Sequence, residues 1–291
     1  MEYGFSSLHP LPSFLYYVGV IIFAMTFYHP IFLFSGLIIL ILLNYLQDGG
    51  KTLKSYRKFY TIMAVIIVLI NPIISNRGET VFFYFFDKCI TLESFVYGIS
   101  TMLSLLSIMV LFLSYNMTIT DDKFMYLFSG ILPKTSFLLM MTIRFVPLLR
   151  RRVGEISTVQ KLRGIDSSRK SFKEKIKDGM NVLNILVTWS LEESIQTARS
   201  MRARGYGVTK NRSFYFNYKM GKMDWTVLVV IVILIFVLMF SWNTKLVSYE
   251  IYPKVRPIEF NLRTSFFFIL YLAYMGIPIC IEGMDRAKWH K

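Results

Sequence analysis

Apolar residues in this chain fall into long runs separated by short polar breaks. Residues 14–27 and 31–46 form the first two runs. His29-Pro30 divides them, and Pro30 predicts a tight helical pair or a re-entrant turn there. Residues 47–58 follow with Lys51, Lys54, Arg57 and Lys58, which suits a cytoplasmic connector. Residues 59–74 make a third run, with Asn71-Pro72 as a kink or stop near its end. Residues 75–93 are polar at both ends, and their charges sum to about neutral, which suits the outer side. Within them, residues 81–86 are β-branched and aromatic and read as a strand or a hydrophobic surface patch. Residues 94–115, 225–240 and 265–281 complete a set of six. Residues 243–263 form a mixed-charge outer loop.

The pattern changes between the fourth and fifth runs. Asp121 or Asp122 suits a helix cap, and residues 124–132 are short and apolar. A long helical pattern starts near residue 136 and is interrupted by Pro147. Phe145, Leu148, Val153, Ile156 and Val159 recur at spacings of three to five, close to a one-faced helix. Arg150, Arg151 and Arg152 lie on the rest of that surface, and Gly164 is a natural stop. Residues 166–178 read as a polar, basic connector. Met180, Leu183, Val187, Leu191, Ile195, Ala198 and Met201 then mark a second amphipathic helix, ended by Gly205 and Gly207. A basic loop with aromatics, residues 211–222, leads to the fifth run. Residues 131–149 are apolar enough to dip into or cross the bilayer. A crossing there requires a return before Arg199, and residues 182–190 are short for one.

Runs of about 20 apolar residues are what a membrane span requires, and 54% of the 291 residues are hydrophobic. The expected fold is therefore all-α: a polytopic membrane protein with about six spans and long amphipathic helices on the cytoplasmic side. It divides into residues 1–115 (N-terminal spans), 116–222 (the cytoplasmic or interfacial region) and 223–291 (C-terminal spans). Both termini are expected in the cytoplasm.

The net charge of +15 sharpens this picture because it is concentrated. Residues 144–222 hold 18 Lys/Arg against 6 Asp/Glu. Such a block is expected on the inner face. No nucleic-acid motif accompanies it, so a lipid surface is the expected contact of the run Arg169, Lys170, Lys173, Lys175 and Lys177.

Candidate chemistry is sparse. Cys89 and Cys280 sit far apart in sequence and belong to no metal or redox spacing. His9, His29 and His290 are scattered. Gly49-Gly50-Lys51-Thr52 resembles the end of a phosphate loop but lacks the preceding Gly and the strand. A membrane-embedded lipid-modifying enzyme needs an intramembrane carboxylate, His or metal set. A self-contained permease needs a polar pathway. The spans are almost free of ionisable residues, which disfavours both. No cofactor or metal is expected on the chain itself.

Two helix ends stand out, Leu162-Arg163-Gly164 and Ala203-Arg204-Gly205-Tyr206-Gly207. A C-terminal Arg favours the negative end of the helix dipole, and the following Gly permits a left-handed closing residue. Each end is thus readable as an ordinary cap. Two copies in one basic block also read as rigid pegs, since an Arg fork binds carboxylates and carbonyls at several points. Such pegs suit a partner with two equivalent sockets.

The segment from Leu191-Glu192-Glu193-Ser194 through Ala203-Arg204-Gly205-Tyr206-Gly207 resembles the transmembrane T component of energy-coupling factor transporters. Its hallmark is Ala-Arg-Gly followed by an aromatic residue and Gly. Ile143-Arg144-Phe145-Val146-Pro147-Leu148-Leu149 resembles the stretch that opens that family's coupling helices. The resemblance implies a non-catalytic subunit of a bacterial cell membrane. It implies that Arg163 and Arg204, supported by Gly164, Ala203 and Gly205, contact two ABC-type ATPase subunits, with Arg144 and Pro147 supporting the helix. ATP and Mg would then reside in those partners. A small membrane S component would bring a vitamin or metal ion. Leu162 departs from the family pattern, which has Ala at that position.

Overall fold

The computed structural model describes residues 4–74, 78–85, 88–163, 171–208, 218–244, 249, 251–252 and 261–289. Helices account for most of them: α1 (Pro10–Thr26), α2 (Pro30–Asp48), α3 (Lys51–Ile74), α4 (Leu92–Thr118), α5 (Asp121–Ser129), α6 (Pro133–Leu162), α7 (Phe172–Ala203), α8 (Lys222–Asn243) and α9 (Leu262–Trp289). Five of these, α2, α3, α4, α8 and α9, are long and apolar enough to cross a membrane, and α1 is a shorter apolar helix of 17 residues. Each of the six expected spans falls on one of them. The protein is an all-α polytopic membrane protein with one small addition. That addition is an antiparallel hairpin of β1 (Val81–Phe85) and β2 (Lys88–Thr91), with Tyr84 opposite Cys89. Residues 81–85 of the run at 81–86 thus form a strand, and Phe86 lies outside the described residues.

The chain divides into two compact units, Met1–Phe124 with Tyr218–Lys291, and Met125–Asn217. The first unit is a bundle built around aromatic rings. Tyr16, Phe23, Phe27, Phe32, Tyr271 and Tyr274 are all essentially inaccessible to solvent. Tyr16 stacks on Tyr274 at 5.4 Å, and Phe23 meets the Tyr274 ring edge-on at 5.1 Å. Tyr16 donates its hydroxyl to the Met275 carbonyl, and Tyr274 returns one to the Tyr16 carbonyl. Gly19 and Gly36 make room for this. A methyl at either would occupy the space of the Tyr274 or the Tyr271 hydroxyl.

Small polar residues join the helices, as expected where close approach and interhelical hydrogen bonds replace a hydrophobic drive. Ser104 on α4 donates to the Ala24 carbonyl of α1, and Asn44 on α2 donates to the Val110 carbonyl of α4. Tyr17 bridges Ser114 and Thr118 at 2.8 Å each. Lys123, almost fully buried, donates its ammonium to the carbonyls of Ser6 and Thr118. By contrast α3 buries only Pro72 and exposes Phe59, Ile62, Val65 and Leu69, the pattern of a lipid-facing helix.

Several boundaries differ from the sequence pattern for identifiable reasons. Residues 51–58 belong to α3, because Lys and Arg at a helix end extend the helix out of the bilayer rather than stopping it. Only Gly49-Gly50 forms the turn, with Gly49 left-handed at φ 61°. This also disposes of the phosphate-loop resemblance. Pro72 and Pro147 lie inside continuous helices. Residues 172–178 begin α7 instead of forming a connector, because Glu174 accepts the backbone N–H of Ser171 and caps the first turn. Asp121 and Asp122 lie in the first turn of α5 rather than ahead of it. Much of the outer loop expected at residues 243–263 and of the basic loop at 211–222 lies outside the described residues.

Candidate functional site

The second unit consists mainly of α6 and α7, of 30 and 32 residues. At 1.5 Å per residue each is about 45 Å long. Ser136 is the one buried residue on α6, where its hydroxyl donates to the Met125 carbonyl at 2.9 Å, and α7 has none. The apolar residues at helical spacing therefore lie largely open. Leu138, Val146, Val159, Leu183, Leu191 and Ile195 are all exposed.

Both arginines sit where a helix stops. Arg163 is the C-cap of α6, and its backbone N–H reaches the Val159 and Gln160 carbonyls at 3.1 Å. Gly164 lies outside the described residues. Arg204 is the C-cap of α7, directly after Ala203. There the closure is complete. Gly205, left-handed at φ 80°, donates to the Arg202 carbonyl at 3.1 Å, and Tyr206 donates to the Met201 carbonyl at 3.0 Å. These are the two bonds of a Schellman motif. A Cβ at Gly205 would meet nothing closer than 3.9 Å, so the backbone angle, not crowding, calls for glycine. Ala203, Arg204 and Gly205 are all exposed, as is Arg163.

The two motifs are held apart. Tyr206 stacks on Phe137 near the start of α6, at 5.2 Å and 23°. Further along, Trp189 of α7 meets Phe145 at 6.4 Å and lies under the Arg152 guanidinium at 4.9 Å. The contacts run in opposite order along the two helices. Arg204 is thus near the beginning of α6 and Arg163 at its end, separated by up to about 40 Å. Arg144 and Pro147 are exposed in the middle of α6, flanking Phe145.

Arg152 also donates to Glu155 at 2.8 Å, and Arg151 donates to the other carboxylate oxygen at 3.1 Å. The hydrogen bonds from Arg152 and Arg151 hold the Glu155 carboxyl below its usual range. Lys173, Lys175 and Lys177 of the basic run lie exposed in the first turns of α7, while Arg169 and Lys170 fall outside the described residues. Among the described residues no cluster of three or more His, Cys, Asp or Glu is placed to hold a metal ion.

Arg152, Glu155 and Trp189 were not singled out by spacing alone. The i,i+3 and i,i+4 carboxylate–arginine pairs were visible in the sequence. What that pattern lacked was the opposite partner, a single Trp in a helix 32 residues long.

A family model described as cobalt transport protein, CbiQ, matches residues 9–215. The chain belongs to this family. The matched region takes in α1 through α7 and both Arg motifs. An energy-coupling factor transporter transmembrane protein, EcfT, of Lactococcus lactis is 25% identical over 189 residues, covering 60% of this chain and 69% of that protein. Uncharacterized proteins of Mycoplasma pneumoniae and Mycoplasma genitalium are 30% and 32% identical over 98 and 100 residues. Each match covers 34% of this chain, which spans less than a quarter of the length of either mycoplasma protein. With its membrane-crossing helices, this CbiQ-family chain is a transmembrane component of a transporter.

Proposed function

We propose that the chain is the coupling subunit of an energy-coupling factor transporter. In this reading α6 and α7 are coupling helices. Arg163 and Arg204 dock on two ABC-type ATPase subunits, which bind ATP and Mg and perform the hydrolysis. The chain itself is non-catalytic. An S component carrying a vitamin or metal ion associates with it, and the helices pass ATPase motion to that partner. Residues 116–222 and both termini then face the cytoplasm of a bacterial cell.

The observation that carries this reading is the pair of exposed C-caps. Two arginines terminate two long helices whose own packing buries almost nothing, and the contacts between those helices keep the tips far apart. One ATPase socket could not take both tips at up to about 40 Å, whereas a pair of sockets can. The likeness to the lactococcal EcfT supports the same assignment.

Co-purification in mild detergent tests it. Wild-type chain is expected to bring down ABC ATPase subunits and a small membrane protein, and Arg163→Glu with Arg204→Glu is expected to lose the ATPases. Retention of the ATPases by the double variant would show that the arginines are caps and nothing more.

A further inference from the structure

The first two turns of α3 carry Lys51, Lys54, Arg57 and Lys58, all exposed, and the helix contains no carboxylate. Asp48, just before it, accepts the Thr52 backbone N–H at 3.0 Å and the Thr52 hydroxyl. Among the described residues Lys54, Arg57 and Lys58 make no ion pair. At about 100° per residue the four cations fall within an arc of about 120°. Ile62, Val65 and Leu69 continue the same stripe up the helix, each more than half exposed. One face thus changes from cationic to apolar as it enters the bilayer. Tyr45 and Tyr56, exposed beside the cations, are the aromatic residues expected at a headgroup layer.

We propose that this face of α3 is a binding surface for anionic phospholipid. Lys54, Arg57 and Lys58 would hold the phosphate and headgroup, and the acyl chains would lie along Ile62, Val65 and Leu69. Clustered Lys and Arg directly beside a span suit such lipids. Two simpler accounts fall short. Cations at the start of a helix lie against its dipole, so local helix energetics do not call for them. Cations that only orient a span need to lie near its end, not on one side of it. The lipid supplies the negative charge that α3 lacks. It also holds from outside a helix that buries only Pro72 within the bundle. A soluble anion would use the cations but leave the apolar half of the stripe without a role.

The molecule supplies its own reference at the same end of the bundle. Gln47 donates to Thr118, Lys123 joins the Thr118 and Ser6 carbonyls, and the His9 backbone N–H donates to Asp224. The start of α8 therefore lies at the level where α3 starts. There Trp225 is 55% exposed, and Asp224 offsets Lys222 within the first turn. Two full-length chains each keep one tryptophan. One retains Trp225, and the other carries Phe59→Trp, with the remaining native tryptophans changed to Phe. Both are placed in vesicles of equal parts phosphatidylglycerol and phosphatidylcholine. Bromine on the acyl chains of one lipid or the other quenches whichever tryptophan that lipid touches.

At position 59 the anionic lipid is expected to be preferred about fivefold or more, and at Trp225 the preference should stay near one. Lys54→Gln, Arg57→Gln and Lys58→Gln together should abolish the preference at 59 and leave Trp225 unchanged. Lys54→Arg with Lys58→Arg should keep it. Equal preference at the two positions overturns the proposal, because the whole protein surface would then be attracting the lipid. A preference at 59 that survives the triple substitution overturns it as well. Should that variant fail to insert, salt decides. Screening at about 1 M acts within about 3 Å, so the wild-type preference at 59 should fall by half or more, and a salt-independent preference would rule out a charged headgroup site.

Discussion

The two units of this protein obey opposite rules. In the first, large aromatic side chains are sealed from solvent, glycines are matched to tyrosine hydroxyls, and serines and an asparagine cross-link the helices. In the second, sixty-two helical residues in α6 and α7 bury one serine. Helices of that length are not held by propensity alone, since helical stability in proteins comes mostly from packing an amphipathic face. The first unit contains the surfaces it packs against. The second leaves apolar residues at helical spacing, such as Leu183, Leu191 and Ile195, uncovered by its own packing.

The sharpest way to break the contrast is a matched pair of truncations. Tyr271→Ala should cost about 3–5 kcal/mol in the purified chain, as for other large buried aromatics. Leu191→Ala should stay within about 0.5 kcal/mol, as at an exposed site. Thermal unfolding in detergent compares them, and equal losses would show that α7 is supported by its own fold.

A smaller effect is expected where α1 meets α9. Gly19→Ala places a methyl against the Tyr274 hydroxyl and should cost about 1–3 kcal/mol by overpacking. Adding Tyr274→Phe removes the obstructing oxygen, so the double variant should be more stable than the two single losses predict. Simple additivity would mean that the glycine is there for another reason.

At the tip of α7, Gly205→Val forces a β-branched residue into φ 80° and should cost about 1–2 kcal/mol. The loss should appear as faster amide exchange at residues 201–206 with no change in the first unit. If exchange instead rises throughout the chain, the Arg204 tip is not an independent element.

The smallest effect is a pH dependence at the α6–α7 crossing. The folded pKa of Glu155 lies below its ordinary value of 4.5, because Arg152 and Arg151 hydrogen-bond its charged form. Its contribution is therefore complete above about that ordinary value and is lost as pH falls through the lower, folded one. Fluorescence of Trp189, in a chain whose other three tryptophans are Phe, should be flat from neutral pH to about pH 5 and change below that. Glu155→Gln should remove the change. A transition retained in that variant would assign it to another group.

Most of the first unit was legible in the sequence because a membrane span is a composition before it is a conformation. Runs of apolar residues located the six helices. The errors fell at their ends, where Lys51, Lys54, Arg57 and Lys58 looked like a loop and turned out to be helix. Pattern counting also cannot see a proline tolerated inside a helix, as at Pro147, or a capping carboxylate such as Glu174 that starts α7 early. The strand at 81–85 was visible as one of two options, and its partner was hidden because Lys88 breaks the apolar run. In the second unit the Arg-Gly ends were conspicuous as local motifs. Which residues meet across the helices is a matter of register, and the contacts of Phe137 with Tyr206 and of Arg152 with Trp189 leave no periodic trace in either helix.

The closure at Gly205 carries one more implication. Because its hydrogen bonds count residues back from the turn, the direction in which Arg204 points is set by how many residues precede it. Adding or deleting one residue within α7 would swing the tip by about 100° around the helix axis and shift it by about 1.5 Å. Tyr206 would then face away from Phe137. A helix with no buried residue can be repainted over most of its surface, yet it cannot be re-cut. In α7 it is length, more than lettering, that specifies where the arginine arrives.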